Sequence, residues 1–179
     1  MTEVRRINLF GGPGVGKSTI AAEVYAELKR QGRKVELVCE FVKQWAYEGR
    51  SVGTFDQVFV FGEQIRNESL VLGCGGQELL VTDSPIFLVV CYARKHGLEE
   101  WAGLADIAWE FERAYPSFNV ILKRQDSIPY DASGRYESVD QAVVMDELIF
   151  ASLKMWGLDF VLVNVDDVEG VKDAVMEAV

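Results

Sequence analysis

Between Phe10 and Ile20 the chain places four glycines and a proline, then a lysine and two hydroxyls: Gly11-Gly12-Pro13-Gly14-Val15-Gly16-Lys17-Ser18-Thr19. Gly11 followed by Gly16-Lys17-Ser18 satisfies the spacing G-x-x-x-x-G-K-[ST]. Glycine is costly in a chain unless the backbone must take positive φ or pass very close to something. Successive main-chain N–H groups in such a bend form a concave nest for an anion. A helix starting near Lys17 would add its partial positive end. The chemistry implied is nucleotide binding. Gly12, Pro13, Gly14, Val15, Gly16, Lys17, Ser18 and Thr19 would cradle ATP, with Lys17 bridging the β- and γ-phosphates and Ser18 ligating Mg²⁺.

Further candidates lie at the ends of other apolar runs. Glu40 follows KVELVC directly. A carboxylate at the carboxyl end of a parallel strand faces the ligand crevice, where it could accept the proton of an attacking hydroxyl. The alternative is that Glu40 caps the helix beginning at Phe41. Asp83 closes the run ELLVT, and Asp83-Ser84-Pro85 would also make a good helix start. Arg124 and Arg135 bracket a polar, non-periodic stretch, 124–138. Guanidiniums on a closing lid would stabilise charge on a transferred phosphoryl group, and solvated loop arginines are the other reading. Asp131 to Gly134 spells DxxG, but within this polar loop and without an NKxD elsewhere it reads as a turn.

The elements that must hold these residues alternate. Strands are expected at Val4–Phe10, Lys34–Cys39, Glu78–Thr82, Asn119–Lys123 and Phe160–Val163. Helices are expected at Lys17–Gln31, Phe41–Tyr47, Phe55–Leu72, Ile86–Lys95, Glu99–Tyr115, Val139–Trp156 and Val168–Val179. Strand–helix alternation with near-continuous apolar strands predicts an α/β fold, a parallel sheet covered on both faces. With right-handed crossovers this becomes a three-layer sandwich of one domain, 1–179. The helix DQVFVFGEQIRNESLVLG brings Gln57, Phe61, Gln64 and Glu68 near one face.

Composition narrows the function classes. The net charge of −10 argues against a broad nucleic-acid surface, although residues 1–50 alone carry a net +3. No stretch approaches a membrane span, and the N-terminus does not read as a signal peptide. Cys39, Cys74 and Cys91 are odd in number and widely spaced, which favours reduced thiols in a cytoplasm over disulfides or zinc. The lone His96 reads as a surface residue at a helix end.

The stretch INLFGGPGVGKSTIAAEVYAELK resembles the P-loop kinase and NTPase superfamily. With VTDSP and SIPYDASGRYES it is similar to a small kinase family within it. That family includes the ribosylnicotinamide kinase domain of bacterial NAD-salvage proteins and many bacteriophage enzymes, some of which phosphorylate hydroxymethylated uracil in DNA. The resemblance implies a five-stranded sheet in the order 2-3-1-4-5. It implies that Asp83 holds Mg²⁺, with base duty as a second role, and that 124–138 is a lid. Deoxyribonucleoside kinases carry an acid after the second strand, a Trp several residues later and a base-binding glutamine on the following helix. Glu40, Trp45 and Gln64 are the matching residues here.

With Phe41, Tyr47 and Phe61 these would assemble an acceptor side, although core packing would equally explain the aromatics. The expectation is a Mg²⁺- and ATP-dependent kinase acting on a hydroxyl of a nucleoside- or nucleotide-type substrate. The acceptor is either a free small molecule or 5-hydroxymethyluracil in phage DNA, the latter served by Arg5, Lys43, Arg50 or Lys123. A homodimer is compatible with the sequence. The alternative is an ATPase or nucleotide switch without an acceptor. The absence of NKxD speaks against GTP, and the chain is short for a ring-forming ATPase with its extra lid domain.

Overall fold

The computed structural model describes residues 3–125, 129–131 and 133–179. Twelve elements follow one another: β1 (Arg6–Phe10), α1 (Lys17–Arg30), β2 (Val35–Val38), α2 (Lys43–Tyr47), α3 (Asp56–Gly73) and β3 (Leu79–Thr82). Then come α4 (Ile86–Lys95), α5 (Trp101–Ala114), β4 (Ser117–Lys123), α6 (Val139–Trp156), β5 (Val161–Asn164) and α7 (Val168–Ala178). The strands form one parallel sheet in the order β2-β3-β1-β4-β5, the order implied by the resemblance.

Alternation along the strands divides the core. Ile7 and Leu9 of β1 pack with Val120 and Leu122 of β4 against α1 and α7, through Val24, Leu28, Val171 and Val175. Phe10 and Ile121 face the opposite layer, built by α3 to α6 from residues such as Phe61, Phe87, Val90, Met145 and Ile149. Side chains on successive strand residues point to opposite faces, so both faces of these strands are buried and largely apolar, with Arg6, Asn8 and Asn119 as buried polar exceptions. β2 and β5 are the edge strands, and β5 leaves Leu162 exposed.

Element boundaries depart from expectation where cross-strand partners matter. β4 begins two residues early, at Ser117, because Ser117 pairs with Arg6 of β1. α2 begins at Lys43, so Phe41 and Val42 belong to the turn that enters it. Ser138 caps α6 through a reciprocal box with Gln141, which ends the polar stretch firmly.

Register places the site. Thr82 of β3 lies level with Asn8 of β1 and with Val38 of β2. The residues after these strands (Gly11 and Gly12, Cys39 and Glu40, Asp83 and Ser84) therefore emerge at one edge of the sheet, the carboxyl ends where doubly wound folds bind ligands.

Candidate active site

The bend after β1 is held by its backbone and by one distant carboxylate. Gly16 is the N-cap of α1 at φ 106, and no side chain caps that helix end. Its first-turn N–H groups therefore remain available to an anion. A Cβ at Gly12 would sit 2.6 Å from both the Ala142 carbonyl oxygen and Asp146 Oδ1, so only glycine lets the loop lie against α6. The Gly12 N–H donates to Asp146 Oδ1 at 2.5 Å. The other carboxylate oxygen accepts from Arg124 Nε at 2.7 Å, and Arg124 Nη2 donates to the Pro13 carbonyl at 2.8 Å. Arg124, expected in a lid, is instead bolted to the phosphate loop. Asp146 carries no sequence signal, since it lies on a helix 134 residues away from Gly12.

Lys17 Nζ donates to the carbonyls of Gly11 and Gly12, at 2.8 and 3.0 Å. Burial pulls its ammonium below the usual lysine range, while Glu40 and Asp83 oppose that pull. Asp83 is buried, and its Oδ1 accepts from the Glu40 backbone N–H at 2.9 Å. The same bond ties the ends of β2 and β3 together. Burial pushes the Glu40 carboxyl above the ordinary glutamate range; Asp83 adds to the rise, and Lys17 and Arg135 oppose it.

Ser18 and Asp83 suit a magnesium ion. Among the described residues no group of three His, Cys, Asp or Glu could cage a metal. Mg²⁺ prefers one or two protein oxygens completed by water and phosphate, and a hydroxyl with a buried carboxylate supplies such a set.

A cavity of about 290 Å³ opens from this loop. At one end it is lined by Gly14, Gly16, Lys17, Ser18 and Thr19, and at the other by Phe41, Gln57, Val60, Gln64, Val89 and Tyr92. Glu40 forms part of the same wall, and its charge is felt by Lys17 and by the Tyr92 hydroxyl alike. The segment after Pro129 covers the opening. Tyr130 packs its ring against Gly14 and donates to the Glu137 carbonyl at 2.6 Å. Tyr47 packs against Gly134, and Tyr136 donates to the Arg50 carbonyl at 2.6 Å. Lys95 pairs with Glu137. Arg135 is half-buried in the cavity wall, with its Nε buried and unpartnered among the described residues. Residues 126–128 and 132, within the expected lid, lie outside the described residues.

Three aromatics expected on the acceptor side lie elsewhere; Tyr47 is exposed and packs on Gly134, outside the cavity lining. Trp45 is buried behind the cavity, stacked on Phe59 at 5.9 Å and holding Phe41 edge-on at 5.4 Å. The Arg50 guanidinium lies 3.4 Å over its other face. Phe61 turns into the core, because on α3 the positions facing the cavity are Gln57, Val60 and Gln64. Tyr92 and Glu137 line the cavity without having been singled out. Gln57, which periodicity sets on one face with Gln64 without a role in the site, is a buried polar residue of the same wall. His96, expected at the surface, is half-buried in the same wall because α4 runs beneath the cavity, and burial lowers its pKa.

A family model described as an AAA domain matches residues 6–170. The chain belongs to this family. No curated protein matches it in sequence. Among solved structures, this AAA-domain chain superposes on NadR protein in complex with NR, with a TM-score of 0.76 at 14% identity, and on NadR protein in complex with NAD and AMP-PNP, with 0.74 at 13%. Each match covers 98% of this chain but only 51% and 49% of the NadR chains, so the protein spans about half their length. The likeness establishes the P-loop kinase type of fold. No helix among the described residues is long and apolar enough to cross a membrane.

Proposed function

We propose that the protein is a kinase, transferring the γ-phosphoryl group of Mg-ATP to a hydroxyl of a small nucleoside- or nucleotide-type substrate. One observation carries this reading. A single cavity joins the phosphate loop to an aromatic and glutamine-lined chamber, with a carboxylate of raised pKa in the wall they share. A hydrolase or switch needs only the loop end. The NadR structures hold NR in one complex and NAD with AMP-PNP in the other, which supports a site of this kind for a nucleoside-type ligand and an ATP analogue.

In the proposed step the acceptor hydroxyl passes its proton to Glu40 as its oxygen bonds to the γ-phosphorus. The bond from that phosphorus to the bridging oxygen breaks, and ADP leaves. Glu40 suits the task because burial raises its pKa, making its carboxylate a stronger base than an exposed glutamate. Lys17 and the loop amides stabilise negative charge on the phosphate oxygens, and Arg135 reaches the same space from the covering segment. Ser18 and Asp83 would hold Mg²⁺, which neutralises charge on the β- and γ-oxygens when bound. The covering segment excludes water, which suppresses hydrolysis in favour of transfer.

The test is incubation of the protein with Mg²⁺ and γ-labelled ATP beside nucleosides, mononucleotides and DNA containing 5-hydroxymethyluracil. Label is expected on a free small molecule, with a KM insensitive to salt. Label on the DNA alone, with binding that weakens steeply as salt rises, would transfer the reading to the polymer. ATP hydrolysis with no labelled acceptor would leave the nucleotide switch, the class that the AAA-domain match otherwise favours.

A further inference from the structure

A chain of buried polar groups runs along one face of the sheet, from the amino end of β1 to the cavity. Arg6 of β1 is 1% exposed and Glu68 of α3 is 0% exposed. Arg6 Nη1 donates to Glu68 Oε2 at 3.1 Å, and Arg6 also pairs with Glu112 of α5. Glu68 Oε1 accepts from Gln64 Nε2 at 2.8 Å. Gln64 Nε2 donates as well to Thr82 Oγ1, at 3.3 Å. That hydroxyl oxygen also accepts from the Ser84 backbone N–H, at 3.1 Å. A carboxylate held by an arginine only accepts, so the amide nitrogen of Gln64 must face it. Both Gln64 N–H groups are thereby engaged with protein acceptors, and the carbonyl Oε1 is the group left for the cavity that Gln64 lines.

We propose that the buried Arg6–Glu68 pair fixes the orientation of Gln64, so that the acceptor chamber presents a hydrogen-bond acceptor and selects substrates carrying an N–H donor on a planar ring or amide. Glu68 is a positioning residue, acting through Gln64. The neighbouring Gln57, 3% exposed and lining the same wall, can turn to donate or to accept and so imposes no preference between the two. Val60, Val89 and Phe41 supply apolar walls for a flat ring. A ligand lacking the donor would leave Oε1 buried without a partner, and sites built this way reject such ligands strongly.

The pair also predicts its own reversal. In Glu68→Gln the new amide oxygen is drawn to Arg6, which only donates. Its NH₂ then faces Gln64, which must turn to accept, presenting its own NH₂ to the cavity.

This inference rests on the nucleoside-kinase reading for its ligand but not for its geometry, so the experiment has two parts. In the ¹⁵N spectrum of the whole protein, the Gln64 side-chain amide is assigned by its loss in Gln64→Met. Slow exchange with water and one downfield proton are expected, because the bond to Glu68 is charge-assisted; in Glu68→Gln that signature should vanish. Exchange as fast as that of an exposed glutamine overturns the orientation.

The second part compares binding of nicotinamide riboside with nicotinic acid riboside, and of uridine with 3-methyluridine. Wild type should favour the donor-bearing member by about tenfold or more in whichever pair it binds, and Glu68→Gln should reduce that ratio below about threefold. Equal binding within the pair by wild type overturns the selectivity. Failure to bind any of the four overturns the nucleoside reading and the selectivity together, while the amide spectrum still decides the orientation. Both wild-type measurements decide the proposal even if the Glu68→Gln protein fails to fold.

Discussion

The two ends of the cavity are built on different principles. At the phosphate end, Gly12, Gly16 and Lys17 are neighbours in sequence, and the binding groups are mostly backbone. Local conformation does the work there: a left-handed Gly16 opens α1, and the loop amides converge whatever side chains surround them. At the acceptor end, Phe41, Gln64, Tyr92 and Arg135 come from four separate parts of the chain, and it is side chains that line the chamber. The first end is a motif in the strict sense, whereas the second is a consequence of packing. Chemistry carried by backbone survives many substitutions around it. Chemistry carried by packed side chains depends on their supports, as Gln64 depends on Glu68 and Phe41 on Trp45.

Substitutions can break this contrast or sharpen it. The largest effect is expected for Lys17→Ala, which should lower phosphoryl transfer by about 10³-fold or more while leaving the circular dichroism spectrum unchanged. Among the described residues the Lys17 ammonium donates only to the carbonyls of Gly11 and Gly12, contacts the fold does not depend on. Activity surviving this change would separate the loop from the chemistry altogether.

Next is Glu40→Gln, for which kcat should fall by about 10²- to 10⁴-fold. The sign of its pH dependence follows from burial. The base must be ionised, and its pKa is raised, so wild-type kcat/KM should rise with pH through a limb above the ordinary glutamate range. That limb should be missing from the variant's profile; a limb that persists unchanged would move the proton to Asp83.

Asp146→Asn tests whether the local end is as self-sufficient as its motif suggests. The amide can still accept from Gly12 but loses its charge against Arg124. Nucleotide affinity should weaken about tenfold, equivalent to about 1.4 kcal/mol, with acceptor KM unaffected. Calorimetric titration with Mg-ATP measures the first and steady-state kinetics the second. An unchanged nucleotide Kd would make the α6 buttress dispensable.

The smallest functional effect is expected at Trp45. Trp45→Phe should destabilise the protein by about 1–2 kcal/mol through lost packing, a fall in Tm of a few degrees, while acceptor KM moves by less than about twofold. An order-of-magnitude rise in KM would place the indole against substrate after all.

How far each region was legible follows from the same contrast. The runs expected as strands at Val4–Phe10 and Glu78–Thr82 and the i, i+4 spacing of Ile20, Val24 and Leu28 are local signals. β1, β3 and α1 form within the stretches they mark, the two strands starting two residues and one residue later than expected. Phe61 and Gln64 show the limit. Both sit on one broad face of α3, and only the packing of α3 against α4 turns Phe61 into the core and leaves Gln64 at the cavity. Asp146 is hidden for another reason. An acid on an amphipathic helix resembles any solvated residue until the phosphate loop arrives beside it.

By itself the sequence determined the phosphate loop and the alternation of elements, because glycine's freedom, the Lys-Ser pair and apolar periodicity act over a few residues. Tertiary structure decided which side chains share the acceptor chamber, that Arg124 is tied to the loop through Asp146, and that Gln64 turns its oxygen outward. These depend on contacts between residues far apart in the chain, and a buried polar group takes its orientation from whichever partner the fold brings to it.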